Sequence, residues 1–212
     1  MRYLKFIIVA FLLIGNNVNA QDEKAKKILD ELSEKTKKYT SIKADFKLNI
    51  SNKVEKVDEE QTGSIIIKGN KYILNIKGQE VISDGKTMWT IIKDAEEVQI
   101  NTIDEEDENA ISPNKIFSLY EKGFKYQYID EKDGKHIIYL YPNNPKDESY
   151  HRITLIINKE KMQIVKAIVY GKDGTNFTYY ITSFTPNTNV SDSQFTFDKS
   201  KYSGFEIIDL RE

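Results

Sequence analysis

Ile42, Ala44, Phe46, Leu48 and Ile50 alternate with Ser41, Lys43, Asp45, Lys47 and Asn49. That two-residue period predicts a strand with one buried and one wet face. Shorter runs follow at about 62–68, 71–77, 80–83, 87–92 and 96–101, separated by Gly69-Asn70, Gly78-Gln79, Asp84-Gly85 and Asp94-Ala95-Glu96. Connections this short leave no room for a crossover, so neighbouring strands pair antiparallel. Asp84-Gly85 suits the positive φ angles of a type I′ hairpin turn. More strands are predicted at 124–130, 136–141, 150–158, 162–170 and 176–185, with hairpins at Asp133-Gly134 and Asp173-Gly174 and a longer loop at Pro142-Asn143-Asn144-Pro145. The charged stretch 52–61 reads as a loop or strand end, and residues 195–197 and 205–210 read as tail strands or strand extensions.

Two stretches change period. Over 22–39, Ala25, Ile28, Leu29, Leu32, Thr36 and Tyr39 recur at three- and four-residue steps, which predicts an amphipathic helix with Asp22 as its cap. Ser112-Pro113 opens a second helix filled by Ile116, Phe117, Leu119 and Tyr120 and ended by Gly123. The run Asp104-Glu105-Glu106-Asp107-Glu108 between them lacks the spacing and glycine of a calcium loop and reads as a solvated loop. About eleven strands and two helices make a mainly β protein. One antiparallel sheet of that size must curl, close or split. If it curls, its concave face carries Phe46, Leu48, Tyr72, Leu74 and Trp89, and the two helices are the material to cover it.

The ends set the compartment. Arg2 and Lys5 precede an apolar run from Phe6 to Ile14, followed by Val18-Asn19-Ala20. This is the layout of a signal peptide, too short to span a bilayer, so residues 1–20 are expected to be cleaved and 21–212 to form one exported, soluble domain. A chain of that length buries a core without disulfides, and it has no cysteine. The formal charge is −2, and removing Arg2 and Lys5 makes it −4. That balance argues against nucleic acid and against a permanent seat on an anionic membrane.

Groups that move protons, attack or bind metal are scarce. The two histidines, His136 and His151, each open a predicted strand away from any acidic cluster and read as surface residues. There is no nucleophile elbow, zinc motif or phosphate-cradling loop. No enzyme, metal or cofactor is expected. The many aromatic residues, 13 Tyr and 10 Phe, read as packing for sheet faces.

The order of motifs resembles the periplasmic outer-membrane lipoprotein carriers of the LolA family over nearly the whole mature length. The matching pieces are the first helix leading into Tyr39-Thr-Ser-Ile-Lys-Ala-Asp-Phe46, then Gly63-Ser-Ile-Ile-Ile-Lys-Gly-Asn-Lys-Tyr72 and Ile82-Ser-Asp-Gly-Lys-Thr-Met-Trp89. Ser112-Pro113, Phe195-Thr-Phe197 and Ile208-Asp-Leu-Arg211 follow in order. The resemblance implies a half-open β-barrel with a helical lid around a hydrophobic cavity. It also implies a monomeric carrier in a Gram-negative-type periplasm. Such a carrier takes acylated lipoproteins from an inner-membrane lipoprotein-releasing ABC transporter and passes them toward an outer-membrane acceptor. Cavity positions carry over to Tyr72, Leu74 and Ile76, to Ile116, Phe117 and Tyr120 on the lid, and to Leu29 and Leu32 on the first helix. Lys68-Gly69 stands where the family usually has Arg-Pro, so Lys68 takes the place of an arginine that latches the lid through backbone carbonyls. A lysine keeps the charge and loses the planar fork. The alternatives are an exported binder or sensor of another lipid on this fold, and a solid-core β interaction protein.

Overall fold

The computed structural model describes residues 17–103 and 123–211. The apolar N-terminal run, the acidic stretch 104–108 and the expected second helix with Ile116, Phe117 and Tyr120 lie outside the described residues. Helix α1 spans Asn17–Lys37. Its expected start at 22 is late: Asp22 lies inside the helix and caps nothing at its end, since no glycine or proline between 17 and 21 stops the helix running back. Twelve strands follow: β1 (Ile42–Asn52), β2 (Val57–Lys68), β3 (Lys71–Ile76), β4 (Gln79–Ser83), β5 (Thr87–Ile92), β6 (Glu97–Thr102), β7 (Phe124–Lys132), β8 (Lys135–Pro142), β9 (Tyr150–Asn158), β10 (Gln163–Gly171), β11 (Thr175–Pro186) and β12 (Glu206–Asp209).

All twelve belong to one sheet in the order β12-β6-β5-β4-β3-β2-β1-β11-β10-β9-β8-β7. The strand with the cleanest alternation, β1, sits at its centre and pairs antiparallel with β2 on one side and β11 on the other. The outermost strands, β12 and β7, do not pair with each other, so the sheet stays open. All pairs are antiparallel except β12 with β6, which is parallel. A parallel neighbour needs a long connection. The chain after Pro186 supplies it by running back over one face of the sheet to the far edge.

Local chemistry explains the turns. At Asp133 (φ 51°) and Gly134 (φ 68°), a two-residue loop takes the paired left-handed conformation of a type I′ turn. Asp84-Gly85 departs from that expectation. Gly85 is left-handed and Asp84 is not; instead the Asp84 carboxylate accepts hydrogen bonds from Lys86 N and Thr87 N, each at 2.8 Å, and shapes a three-residue loop. The charged stretch 52–61, expected as a loop or strand end, is both: 53–56 form a turn and 57–61 the first part of β2. Residues 57–61 extend β2, with Lys47 Nζ 2.9 Å from Glu60 Oε1 and Asn49 Nδ2 donating to Asp58 Oδ1 at 2.8 Å across to β1. At 195–197 there is no strand; Asp192–Phe195 is a 3-10 turn that buries Phe195 completely.

The sheet has apolar layers on both sides. On the inner face, Ala25, Ile28, Leu29 and Leu32 of α1 pack on Tyr128, Ile138, Leu140, Ile153, Leu155 and Ile157 of β7, β8 and β9. Full burial of each leucine or isoleucine contributes about 1.5–3 kcal/mol, which holds the helix against the sheet. On the outer face, Ile82, Ile91 and Val98 are covered by Phe197, Tyr202, Phe205 and Ile207 of the returning C-terminal segment.

Candidate functional site

Pairing fixes which residues share the inner face. Phe46 lies opposite Gly63, Gly63 opposite Ile76, and Ile76 opposite Gln79. In the next row Ala44, Ile65, Leu74, Val81 and Thr90 are successive partners, and beyond it Ile42, Ile67, Tyr72, Ser83 and Met88. The Tyr72 hydroxyl donates to Met88 Sδ at 3.3 Å within this last row. Burial pushes the Tyr72 phenol up from its ordinary pKa. Tyr72 is buried with Ile42 and Ile67, whereas Ile65, Leu74, Val81, Tyr39 and Phe184 around them are half-buried. Among the described residues α1 lies over β7 to β10, and no helix packs on this apolar surface over β2 to β4. The result is a trough whose one half is filled by α1 and whose other half presents aliphatic and aromatic side chains.

The candidate positions divide on this geometry. Phe46 and Leu48 are buried at the centre of the inner face, with the Phe46 ring 6.1 Å from that of Tyr179. Tyr72, Leu74 and Ile76 line the same face along β3. Leu29 and Leu32 are fully buried between α1 and the sheet, so any ligand reaching them has to lift the helix. Trp89 corrects the expectation. It pairs with Ile82, whose neighbour across β3 is Ile73, on the face opposite Tyr72 and Leu74. There it stacks on Phe197 at 6.2 Å and belongs to the outer core. Ile116, Phe117 and Tyr120 lie outside the described residues. Pairing also brings in Ile65, Val81, Met88 and Phe184, which sequence reasoning passed over; tracing register through the short Lys77-Gly78 loop was the signal that could have found Val81 and Met88.

Lys68 lies on the outer face. Its Nζ donates to Val190 O at 2.9 Å and pairs with Asp192 Oδ1 at 3.0 Å, while Lys71 stands 3.5 Å from the same carboxylate. These lysines, Lys68 first, hold the Asp192 carboxyl below its usual range. The lysine therefore does reach a backbone carbonyl, but one in the segment that straps the C-terminal return to β3. A single ammonium makes this contact as a point charge without needing a guanidinium fork.

Close packing under the trough depends on a missing side chain. A Cβ built on Gly63 would lie 2.4 Å from Phe46 Cζ and 2.7 Å from the backbone oxygen of Asn75. The ring could swing aside, but the strand oxygen could not. Gly63→Ala is expected to cost about 1–3 kcal/mol of stability, read as a lower urea midpoint at unchanged slope.

His136 is another correction, because it is buried. It faces α1 with its Nδ1 3.3 Å from the Tyr128 hydroxyl and 3.7 Å from Glu131 Oε2, and Lys24 of α1 sits over the Tyr128 ring. Burial lowers its pKa, Glu131 pulls it up, and Lys159 and Lys24 push it down. The folded state therefore favours neutral imidazole while the unfolded chain protonates near pH 6.5. The unfolded state binds more protons below that point, so this contribution to stability is complete above about pH 6.5 and fades as the pH falls toward the lowered value. Denaturant titrations at about pH 7.5 and 5.5 should show the wild-type chain weaker at the lower pH and His136→Phe with a flatter dependence. Equal slopes for the two proteins would remove His136 from the acid response. His151 stays exposed.

The sequence matches the LolA family, described as outer membrane lipoprotein carrier protein LolA, over residues 37–198. The chain belongs to the LolA family. Among solved structures, a conserved protein of Thermus thermophilus aligns with this LolA-family chain at a TM-score of 0.56 and 11% identity, covering 88% of this chain and 99% of its own. A DUF1329-family protein from Desulfovibrio piger aligns at 0.50 and 11%, covering 83% and 97%. A LolA-superfamily protein of Nitrosomonas europaea aligns at 0.44 and 13%, covering 82% and 98%. At such identities the first two likenesses are of fold alone. A comparison with curated proteins gives no match. Among the described residues of this LolA-family chain, no group of three His, Asp or Glu is placed to hold a metal. Nor is any described helix long and apolar enough to cross a membrane.

Proposed function

We propose that this LolA-family chain is a periplasmic carrier that takes the acyl chains of lipoproteins into its trough and delivers them toward the outer membrane. The observation that carries the reading is the half-buried apolar surface on the inner face of an open sheet, beside a helix that fills only part of it. Each acyl CH₂ kept from water is worth roughly 0.8 kcal/mol, so a multi-chain anchor does not cross an aqueous compartment unescorted. Aliphatic walls shelter such chains without fixing their position, because burial and dispersion are non-directional. No covalent step enters this mechanism. An ABC transporter that releases lipoproteins is the donor in this reading, and an outer-membrane protein the acceptor. Phe46, Leu48, Tyr72, Leu74 and Ile76 form the described wall, with Ile116, Phe117 and Tyr120 assigned to the cover.

Native mass spectrometry of the chain purified from the envelope of a producing cell tests the proposal. A triacylated lipoprotein bound one-to-one is the expected result. Free phospholipid or fatty acid as the sole bound species would mark a carrier of another lipid. A chain that also refuses offered acyl chains would overturn both.

A further inference from the structure

Among the described residues, the outer face of the sheet has an apolar cover on one half only. The C-terminal segment packs over β3 to β6, and none of its described residues joins a core over β8 to β11. Those four strands are chemically unusual for this chain. The whole sequence has 33 acidic residues and a charge of −2, yet β8, β9, β10 and β11 contain no aspartate or glutamate. Their outer side carries Tyr139 and Tyr141 on β8, Arg152 on β9, Lys166 and Tyr170 on β10, and Tyr180 on β11, interleaved with half-buried Ile137, Ile156 and Ile168.

The cations on this face are held by rings. The Arg152 guanidinium carbon lies 4.4 Å from the Tyr139 ring centre and 4.1 Å from that of Tyr170, and Lys166 Nζ stands 4.5 Å from the Tyr180 ring centre. Arg152 Nε and the hydroxyl of Thr154 are buried with no hydrogen-bond partner. No ion pair among the described residues involves Arg152 or Lys166. An exposed antiparallel face is ordinarily polar and mixed in charge. Here tyrosines, branched aliphatics and ring-held cations share one surface, which is the composition of a water–lipid boundary. Burial of Arg152 Nε closes the side edge of its fork to any outside anion. A layer of phosphodiesters needs only the field of the cations and the rings at headgroup depth.

We propose that the outer face of β8 to β11 docks the chain reversibly on membranes containing anionic phospholipid. The surface lies opposite the acyl-chain trough, so the proposal stands or falls separately from the cargo reading. The overall negative charge, −4 without Arg2 and Lys5, keeps the contact weak and sensitive to salt.

The test is co-sedimentation of the full exported chain with vesicles of about one-third phosphatidylglycerol in phosphatidylcholine, against phosphatidylcholine alone. Wild type is expected to bind the anionic vesicles at low salt and to leave the neutral ones. Each cation removed, in Arg152→Gln and Lys166→Gln, should weaken binding roughly fivefold, and Arg152→Lys should retain most of it. Lys166→Gln, at a half-buried surface position, provides the readout if Arg152→Gln does not fold. Leu74→Asp should leave vesicle binding unchanged, which separates this surface from the trough. Equal binding to neutral vesicles, or anionic binding indifferent to both glutamine variants, overturns the proposal. So does no binding by wild type, which would turn attention to an acidic protein partner for the same face.

Discussion

Leu29→Ala lowers the stability of the chain by about 2–5 kcal/mol, the range for removing a fully enclosed leucine without collapse of the space it leaves. Leu29 has no exposed surface and belongs to the core that α1 forms with the inner faces of β7, β8, β9 and β10. Against a total stability of roughly 5–15 kcal/mol, such a loss should shift a urea transition well beyond error. The measurement also bears on mechanism. If the midpoint moves by the full amount, α1 is docked in the empty protein and belongs to the cooperative core. A shift below about 1 kcal/mol would mean that the helix contributes little to global unfolding and is the part of the inner wall that gives way to a ligand.

The strands were legible because their chemistry is local. Eleven short runs with turn residues between them appear as β1 to β11, and the two- to four-residue connections force the antiparallel order seen through β2 to β6. What could not be read was coverage. Where one face of a sheet is wet, alternation tells the inside from the outside, as it does in β1. In β3 to β6 both faces carry large apolar residues, Tyr72 and Leu74 on one side and Ile73, Trp89 and Ile91 on the other. The reason is the C-terminal segment, which reaches the second of these faces from more than a hundred positions away, Phe197 stacking on Trp89 and Val190 O accepting from Lys68. Trp89, expected on the concave face with Tyr72 and Leu74, lies instead under Phe197 because of this tertiary cover. His136 was misplaced for a similar reason. A polar residue at a strand start is usually exposed, but here α1 lies over it and Tyr128 offers its hydroxyl.

Leu74→Asp weakens the binding of an acyl-chain probe at least tenfold while the chain stays folded. Leu74 sits midway along the trough, flanked across the strands by Ile65 and Val81, and it is half-buried. A carboxylate there can keep water in the empty protein, so the cost to folding should remain about 1–3 kcal/mol. A bound acyl chain would strip that water and leave a charge against hydrocarbon, and it would lose the leucine's contacts as well. A tenfold change corresponds to about 1.4 kcal/mol, less than the burial of one leucine alone, so the threshold is modest. Lys43→Asp, on the exposed outer side of β1, tests for a general effect of added negative charge and should leave affinity unchanged. Trp89→Ala makes the contrast sharper. It should loosen the C-terminal segment and lower stability, since Trp89 packs on Phe197, yet leave probe affinity near wild type because its ring faces away from the trough. Titration of a fluorescent fatty acid into the four proteins measures all of this at once. Loss of binding in Trp89→Ala with retention in Leu74→Asp would put the acyl site on the other face of the sheet and reverse the assignment of inside and outside.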